Sequence, residues 1–579
     1  MRILGISCFY HDAAAALIVD GEVVAAAQEE RFTRKKHDSE FPSNAIAYCL
    51  KRAAITVDDL EHIVFYDKPF VKFERILKTY VATWPKSFSS FLKAMPLWIK
   101  RKIWTEHIIQ KELNYRGEIL FLEHHLSHAA SAFLVSPFKE AAILTVDGVG
   151  EWATATCGKG EGNDIKILKE MHFPHSLGLL YTAFTYYLGF RVNSAEYKVM
   201  GLAPYGKPIY YDLIMEKLVR VKGDGSFKVK MDYFSYDYGL RMINKRFEKL
   251  FGRKTRKPEE PLEVFHKDVA ASIQKVTEEI VLKMAHFIHE LTGMDNLCMA
   301  GGVALNCVAN GRVLREGPFK NIFIQPAAGD AGGAVGAAAY VYHTLLGKKR
   351  ESVMQDVYLG PDFSTDEICG YLEGEDIDFT EHDEDGLLDK VAGLLNQGAV
   401  VGWFQGRMEF GPRALGARSI LADPRKPDMK YILNSKIKFR EEFRPFAPTV
   451  LETECHNIFE LERPSPFMLL TAQVRKEAPP MPAITHVNGS ARIQTVTKEQ
   501  NRLYHGLIER FRSYTGVGVI VNTSFNLRGE PVVCTPEEAY RCFMRSGIDY
   551  LAIGQFVLDK KKMKPWVESA DWKKMLKSD

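Results

Sequence analysis

Two histidines lie four residues apart in the segment EHHLSHAASAF, at His124 and His128. In a helix this spacing puts both imidazoles on one face, as when two histidines bind one metal ion. Asp147 ends an apolar run of strand length, and Asp330 opens a glycine-rich helix start, so their carboxylates could complete the site. Such mixed nitrogen and oxygen ligands favour Fe(II), Mn or Zn over metals that prefer thiolates. The alternative is that both histidines are ordinary core or surface residues.

A dense group of basic residues lies between positions 407 and 444, interleaved with Gly, Pro and Phe. Its members are Arg407, Arg413, Arg418, Lys436, Lys438, Arg440 and Arg444. Tight turns and aromatic neighbours are atypical of a solvated helix face. They suit a rigid pocket for phosphate oxygens, where Arg binds bidentately and Lys acts as a point charge. A nucleic-acid groove is the competing interpretation, but the net charge of only +3 disfavours it.

Further hydrogen-bond donors follow in ARIQTV and VNTSFNLRGEP. They are Arg492, Asn522, Ser524 and Arg528. Ordinary turn capping is the alternative role for Ser524. The run GGVALN, with Gly301, Gly302 and Asn306, and the later GDAGGAVG match neither the Walker nor the Rossmann pattern. Together with strand hairpins, they suit a cleft where backbone amides bind phosphates.

The elements that position these residues read as alternating strands and helices. RILGISC and AAAALIVDG predict a hairpin, and residues 141–158 repeat the pattern with Asp147-Gly148 as the turn. Two such hairpins indicate the duplicated core of the actin-like fold, and the later strand–turn–helix segments make the first half α/β. The pattern lapses near residues 345–362, which predicts two domains, 1–350 and 351–579.

Two insertions are predicted in the first domain. Residues 68–115 are basic and aromatic and predict helices that bury Trp and Leu while Lys and Arg stay solvated. A membrane-surface or partner-binding helix is the alternative for this segment. Residues 220–262 are turn-rich and basic and predict a solvated loop.

Composition sets the class of protein. The 579 residues are 46% hydrophobic and 26% charged, which is typical of globular chains and excludes general disorder. Nine Cys without a C-x-x-C pair indicate reduced thiols rather than a disulfide framework or a zinc ribbon. No signal-peptide pattern and no apolar segment of about 18 residues occurs, so we expect a soluble, cytoplasmic protein without a membrane span.

Nine motifs together resemble the O-carbamoyltransferase family that includes the nodulation-factor, cephalosporin and tobramycin carbamoyltransferases. They are GISCFYHDAAAALI, EHHLSHAASAF, TVDGVGEW, EYKVMGLAPYG, GGVALN, GDAGGAVGAA, MEFGPRALGARSI, REEFRPFAP and VNTSFN. The resemblance covers nearly the whole chain and shows no departure at a motif position. It implies a duplicated actin-like domain over 1–350 and a YrdC-like α/β domain over 351–579.

The resemblance also implies a reaction in two steps. Carbamoyl phosphate and ATP, with Mg, would form carbamoyl-adenylate in the second domain, and the carbamoyl group would then pass to a small-molecule hydroxyl in the first. Residues carried over for the phosphates and the carbamoyl group are Arg413, Lys438, Arg444, Arg492 and Ser524. Those carried over as metal ligands are His124, His128, Asp147 and Asp330. His11 matches the residue that contacts the carbamoyl group or the acceptor hydroxyl.

Several alternatives stay open from the sequence. An actin-like small-molecule kinase would leave the basic second half without a role. A tRNA threonylcarbamoyl-type transferase would need a basic track that a net charge of +3 does not provide. A non-catalytic scaffold would leave the clustering of His, Asp and Arg beside glycine turns unexplained. The identity of the acceptor and of the metal stays open from the sequence, as does the oligomeric state, for which a homodimer is one candidate. We expect a role in antibiotic or other natural-product biosynthesis.

Overall fold

The computed structural model describes residues 1–566, and residues 567–579 of the predicted second domain lie outside the described residues. The chain forms two compact units. The first contains Met1–Glu29 and His37–Met354. The second contains the chain from Gln355 onward and the short segment Glu30–Lys36, which includes helix α1 (Glu30–Thr33).

The first unit is built on two five-stranded sheets with the same internal order. The first has the order β3-β2-β1-β4-β5 and contains β1 (Arg2–Ser7), β2 (Ala14–Val19), β3 (Glu22–Gln28), β4 (His62–Phe65) and β5 (Ile119–Phe121). The unit's later strands are β6 (Glu140–Val146), β7 (Ala153–Glu161), β8 (Asp164–His172), β9 (Val219–Val221), β10 (Phe227–Val229), β11 (Asn296–Ala300) and β12 (Asn321–Ile324). Of these, β9 and β10 form a separate hairpin, and the other five form the second sheet, in the order β12-β11-β6-β7-β8.

The two sheets repeat one topology. In each, three consecutive strands form an antiparallel meander, and the first of them pairs in parallel with a fourth strand, which pairs in parallel with a fifth. The loop between β6 and β7 spans six residues, so the two-residue turn predicted at Asp147-Gly148 is wrong. The α/β class and the duplicated actin-like core are confirmed.

Helices cover both sheets. Those of the first unit are α2 (Ser43–Arg52), α3 (Pro69–Ala82), α4 (Phe88–Lys100), α5 (Thr105–Leu113), α6 (His124–Phe133), α7 (Leu177–Tyr187), α8 (Glu196–Leu202), α9 (Tyr211–Lys217), α10 (Lys245–Phe251), α11 (Val264–Thr292), α12 (Cys307–Glu316) and α13 (Asp330–Ala339). Helices α6 and α13 pack against each other at close range because Gly336 lacks a side chain, since a Cβ there would collide with the Ser127 carbonyl oxygen.

The two predicted insertions differ in outcome. Residues 68–115 form α3, α4 and α5, which confirms the predicted helices. The burial predicted for them is wrong, because Trp84, Leu92 and Trp104 are exposed whereas Lys72 and Arg75 are buried. The solvated loop predicted over 220–262 is wrong, because this segment contains β10 and α10. Phe247 and Phe251 of α10 are buried against Phe184 and Tyr187. Two aromatics four residues apart can anchor a short helix even when its other residues are charged.

The second unit is built on a nine-stranded mixed sheet. Its strands, in the order β13-β21-β20-β14-β15-β19-β16-β18-β17, are β13 (Thr380–Glu381), β14 (Val401–Phe404), β15 (Arg418–Ala422), β16 (Ala447–Leu451), β17 (Leu470–Gln473), β18 (Ser490–Val496), β19 (Val519–Ser524), β20 (Tyr550–Ile553) and β21 (Phe556–Asp559). Its helices are α14 (Thr365–Gly374), α15 (Glu384–Asn396), α16 (Met429–Tyr431), α17 (Glu452–Ile458), α18 (Arg502–Thr515) and α19 (Pro536–Arg545). Helices α15 and α18 bury Leu and Phe side chains against the sheet around Trp403.

The segment Glu30–Lys36 completes the second unit. Arg31 is buried, and its guanidinium donates to the Gly411 carbonyl at 2.8 Å. Arg34 donates to the carbonyls of Pro531 and Val532 at 2.8 and 2.7 Å. No helix within residues 1–566 has both the length and the apolar character that a bilayer span requires.

Candidate functional site

Helix α6 carries the two candidate ligand histidines at its start. His124 and His128 are buried, one turn apart, and their Nε2 atoms face each other at 3.1 Å. The helix begins at His124, where the carboxylate of buried Glu151 accepts the His124 backbone N–H at 3.1 Å. That hydrogen bond satisfies one of the free amides of the first turn, and so it holds the histidine-bearing turn in place.

Two carboxylates from different elements meet these histidines. Asp147 follows β6 directly, and its Oδ2 lies 3.0 Å from His124 Nε2 and 3.6 Å from His128 Nε2. Asp330 opens α13, and its Oδ1 lies 3.8 and 3.9 Å from the same nitrogens. One ligand atom from each residue lies within 4.8 Å of the others. Ligands about 2.0–2.2 Å from one ion are spaced by about 3–4 Å, so this cluster fits a divalent metal.

The glycine turn after β11 holds one of the carboxylates. The Gly302 N–H donates to Asp147 Oδ1 at 2.9 Å, which leaves Oδ2 directed at the histidines. Gly301 has a φ of 90°, and a Cβ there would collide with the Val146 carbonyl oxygen. The Tyr66 hydroxyl donates to Asp330 Oδ2 at 3.4 Å. Such outer partners orient metal ligands.

Asn306, predicted with these glycines to bind substrate, caps helix α12. Its side-chain oxygen accepts the Ala309 N–H at 3.1 Å and bonds Gln274 at the same distance. These contacts give Asn306 a structural task, and nucleotide binding by Gly301, Gly302 and Asn306 stays a prediction.

Burial and mutual contact shift the pKa of every group in the cluster. Burial lowers the pKa of His124 well below its usual value. Burial also acts to lower the pKa of His128, but contact with Asp147 and the charge of Asp330 outweigh it and raise that pKa. Burial, and then the charge of Asp147, raise the pKa of Asp330 to about 7. Burial opposes ionisation of Asp147, but hydrogen bonds from both histidines hold its pKa well below the usual range. The four buried groups therefore lack enough positive charge to balance both carboxylates. A bound cation would supply that charge.

His11 lies in the loop between β1 and β2 and belongs to a second group of polar side chains. Its Nδ1 lies 2.9 Å from Asp12 Oδ2, and its Nε2 lies 2.5 Å from the Asn193 carbonyl oxygen. Both partners can only accept, so both ring nitrogens donate and the ring is an imidazolium. Burial lowers the pKa of His11, but the charge and hydrogen bond of Asp12 outweigh it and raise the pKa to about 10. The charge of Asp330 adds to this increase.

Asp12 also bridges to a second imidazole. Its Oδ1 lies 2.8 Å from His37 Nδ1, and His37 Nε2 lies 3.0 Å from the Ser194 hydroxyl. Asp12, His37 and Asn193 all have positive φ, at 42°, 57° and 56°. Several left-handed non-glycine residues in one small network indicate that tertiary contacts enforce its geometry. Sequence reasoning missed Asp12, His37 and Glu151, although Asp12 and Glu151 stand inside the motifs FYHDAA and TVDGVGEW.

In the second unit, the structure brings Lys438 and Ser524 together. Lys438 is buried at the end of a π-helical turn, Ile432–Ile437. Its ammonium contacts the Ser524 carbonyl and lies 3.3 Å from the Ser524 hydroxyl. It also donates to Asn526 Oδ1 at 2.8 Å. The oxygens of Ser524 and Asn526 satisfy this buried ammonium and fix its position.

One face of the nine-stranded sheet carries Ser524 and two more of the predicted residues, Arg492 and Asn522. Gln494 of β18 bonds Thr449 of β16 at 2.6 Å and Asn522 of β19 at 2.8 Å, so these side chains share a face. Because side chains alternate along a strand, Arg492 and Ser524 lie on that face too. The Asn522 amide also donates to the Ala414 carbonyl at 3.2 Å, next to Arg413.

Three further arginines, Arg444, Arg528 and Arg418, have two different kinds of partner. Arg444 Nη1 and Arg528 Nη2 lie 3.5 and 3.8 Å from the two carboxylate oxygens of Glu441, so these three residues are brought together. Arg418 is fully buried over the Phe404 ring and donates to the carbonyls of Gln405 and Pro361. The phosphate role predicted for Arg418 is therefore wrong, because backbone carbonyls occupy its guanidinium.

Comparison with known proteins identifies the family of the chain. The family model for the carbamoyltransferase N-terminus matches residues 2–339, and that for the carbamoyltransferase C-terminus matches residues 392–560. The chain is 53% identical to an uncharacterized protein of Synechocystis sp. over the full length of both. It is 38% identical to nodulation protein NolNO of Sinorhizobium fredii over 98% of this chain and 81% of that protein. It is 39% identical to nodulation protein NolO of Bradyrhizobium diazoefficiens over 76% of this chain and 79% of that protein.

The two family models together match residues 2–339 and 392–560 of the chain. The chain belongs to the carbamoyltransferase family and is an enzyme that transfers a carbamoyl group.

Proposed function

We propose that this enzyme is an ATP-dependent O-carbamoyltransferase that works in two steps. In the second unit, water hydrolyses carbamoyl phosphate to carbamate and phosphate, and a carbamate oxygen then attacks the α-phosphorus of ATP to give carbamoyl-adenylate and pyrophosphate. In the first unit, an acceptor hydroxyl attacks the carbamoyl carbon, AMP leaves, and the hydroxyl proton is released. Adenylation is needed because carbamate by itself has no good leaving group.

The observation that carries the proposal is the convergence of His124, His128, Asp147 and Asp330 at the ends of three elements in the first unit. When bound there, a divalent metal would supply a Lewis acid for the carbonyl and for the developing alkoxide. Fe(II), Mn and Zn all suit these donors. The doubly protonated His11 would add a fixed positive charge beside this cluster, where charge develops on oxygen. Its hydrogen bonds favour a role as a cation rather than as the base for the hydroxyl proton.

In the second unit, Lys438 supports the adenylation step because its ammonium is buried and held in one position. Arg444 and Arg528 flank one carboxylate, which keeps two guanidinium groups side by side. Arg413, Arg492 and Ser524 are proposed to complete the binding of phosphate and carbamoyl groups. The acceptor class, the cytoplasmic location and a homodimer stay predictions.

The test is pyrophosphate release from ATP and Mg²⁺ that depends on carbamoyl phosphate. We expect it in the wild type, and we expect Arg444→Ala and Lys438→Ala to lower it by at least about a hundredfold, since loss of a desolvated charge partner costs about 3–5 kcal/mol. Lys476→Ala is the matched control, because Lys476 is an exposed lysine of the second unit that lies outside the predicted phosphate-binding group.

Wild-type rates in both variants would exclude the basic pocket as the activating site. Release of ADP without a need for carbamoyl phosphate would instead favour the kinase alternative. With candidate hydroxyl acceptors added, mass spectrometry should detect the addition of one carbamoyl group.

A further inference from the structure

Exposed apolar side chains concentrate in one part of the first unit. Ten of the twenty-one large hydrophobic side chains exposed in residues 1–566 lie between Phe70 and Trp104, on α3, α4 and their flanking segments. Val81 and Trp84 are 70% and 60% exposed, and Leu92 is 55% exposed. Single exposed apolar residues are ordinary, but a local group of this size marks an interaction surface.

The exposed residues line up on the two helices. Around the axis of α3, at 100° per residue, Phe70, Leu77 and Val81 fall within about 40° of one another. Around the axis of α4, Phe88, Leu92 and Ile99 fall within the same angle. The ring of Trp84, in the connection between the helices, packs edge-on against Phe88 at 5.4 Å. Helix α4 is anchored on the unit through the buried residues Ser90, Met95 and Trp98, and α3 through Lys72 and Arg75. The exposed apolar stripes therefore belong to helices that are already packed on the unit.

The same segment is strongly basic. Residues 69–104 contain eight Lys and Arg and one acidic residue, Glu74, whereas the whole chain carries a net charge of only +3. Lys72 and Arg75 are buried, but Lys86, Lys93 and Lys100 are exposed among the apolar residues. An exposed apolar stripe with exposed lysines beside it is typical of helices that lie in the headgroup region of an anionic bilayer.

We propose that the outer face of α3 and α4, with the Trp84 connection, binds the surface of an anionic membrane. Trp84, Phe88 and Leu92 would enter the boundary between headgroups and acyl chains, and Lys86, Lys93 and Lys100 would contact lipid phosphates. This peripheral binding goes beyond the proposed function and does not depend on it. It would bring a carbamoyltransferase to the surface of a bilayer.

The charge distribution disfavours two other occupants. A second copy of this chain would place two strongly basic faces against each other, and like charges at an interface are repulsive. A protein partner would bury lysines at the centre of a contact, where protein interfaces are depleted of lysine. A lipid headgroup layer accommodates both kinds of side chain, because it is anionic outside and apolar a few ångströms deeper.

The test is flotation of the full-length enzyme with vesicles of phosphatidylcholine, with and without phosphatidylglycerol. We expect the wild type to float with the anionic vesicles and to be released by high salt. The triple variant Lys86→Glu, Lys93→Glu, Lys100→Glu and the triple variant Trp84→Ser, Phe88→Ser, Leu92→Ser should each lower the partition coefficient by at least about tenfold. Their circular-dichroism melting curves and pyrophosphate release should match the wild type.

A matched control reverses the charge of three exposed lysines elsewhere, Lys254, Lys390 and Lys476, and should float like the wild type. The proposal is overturned if the wild type does not float with anionic vesicles, or if the control loses binding as fully as the test variants. It is also overturned if light scattering shows a dimer that the Ser variant converts to a monomer, because a second copy would then cover the face.

Discussion

At the scale of single residues, the facing Nε2 atoms of His124 and His128 are held 3.1 Å apart in a buried site with two carboxylates. His128→Ala removes one of the four proposed metal ligands. We expect the affinity for divalent metal to fall by at least about a hundredfold, as measured by elemental analysis and by competition with a chelator.

His125→Ala is the matched control for that variant. His125 is equally buried on the same turn, but its Nδ1 bonds the Thr145 hydroxyl at 2.6 Å and takes no part in the cluster. This variant should lose stability and keep its metal. Stoichiometric metal in His128→Ala would instead make the pair ordinary core histidines.

The positive charge of the His11 ring depends mainly on Asp12, whose charge and hydrogen bond raise the pKa of the ring. In Asp12→Asn the carboxylate is lost, so burial dominates and the pKa of His11 should fall from about 10 to below its ordinary value, although Asp330 and His37 stay close. The imidazolium form would then disappear as the pH rises through the new pKa. Carbamoyl transfer should become faster at lower pH in this variant, with no such dependence on His11 between about pH 6 and 9 in the wild type. Nitrogen NMR of the His11 ring measures the pKa directly, and an unchanged titration would contradict this assignment.

At the scale of elements, the turn between β11 and α12 orients the proposed ligand Asp147 but supplies no ligand atom of its own. A Cβ on Gly302 would lie 2.9 Å from Asp147 Oδ1, so Gly302→Ala should displace this carboxylate. We expect metal affinity to fall by about tenfold to a hundredfold, with a loss of unfolding free energy of only about 1 kcal/mol.

Gly293→Ala is the matched control, because it introduces backbone strain without displacing the Asp147 carboxylate. Gly293 has a φ of 66° at the end of α11, and a Cβ there would meet nothing within 4 Å. The substitution should cost about 1 kcal/mol of stability through the left-handed backbone alone and leave metal binding intact. Equal losses of metal in both glycine variants would show that the Asp147 contact is not what matters.

At the scale of the whole molecule, the proposed metal ligands His124, His128, Asp147 and Asp330 belong to the first unit, whereas Lys438, Arg444 and Arg528 belong to the second. If the two half-reactions are divided in the same way, His128→Ala should lose transfer to the acceptor and keep pyrophosphate release that depends on carbamoyl phosphate. Both assays on one preparation decide this. Loss of pyrophosphate release as well would mean that the steps are not separated between the units.

Local patterns in the sequence determined a large part of this protein. The four-residue spacing that aligns His124 with His128 and the duplicated hairpins are short-range periodicities, because helix and strand geometry act within a few residues. The family could be recognised for a related reason, since its motifs are short runs of residues in a fixed order.

Only the tertiary structure decided which partners meet across the chain. The His11 ring contacts the Asn193 carbonyl, 182 positions along the chain, and Arg418 donates to carbonyls such as that of Pro361 rather than to a phosphate. Segment Glu30–Lys36 joins the second unit although the first unit surrounds it in sequence. No periodicity encodes such contacts, because hydrogen bonding and burial between residues tens to hundreds of positions apart are settled only when the elements pack.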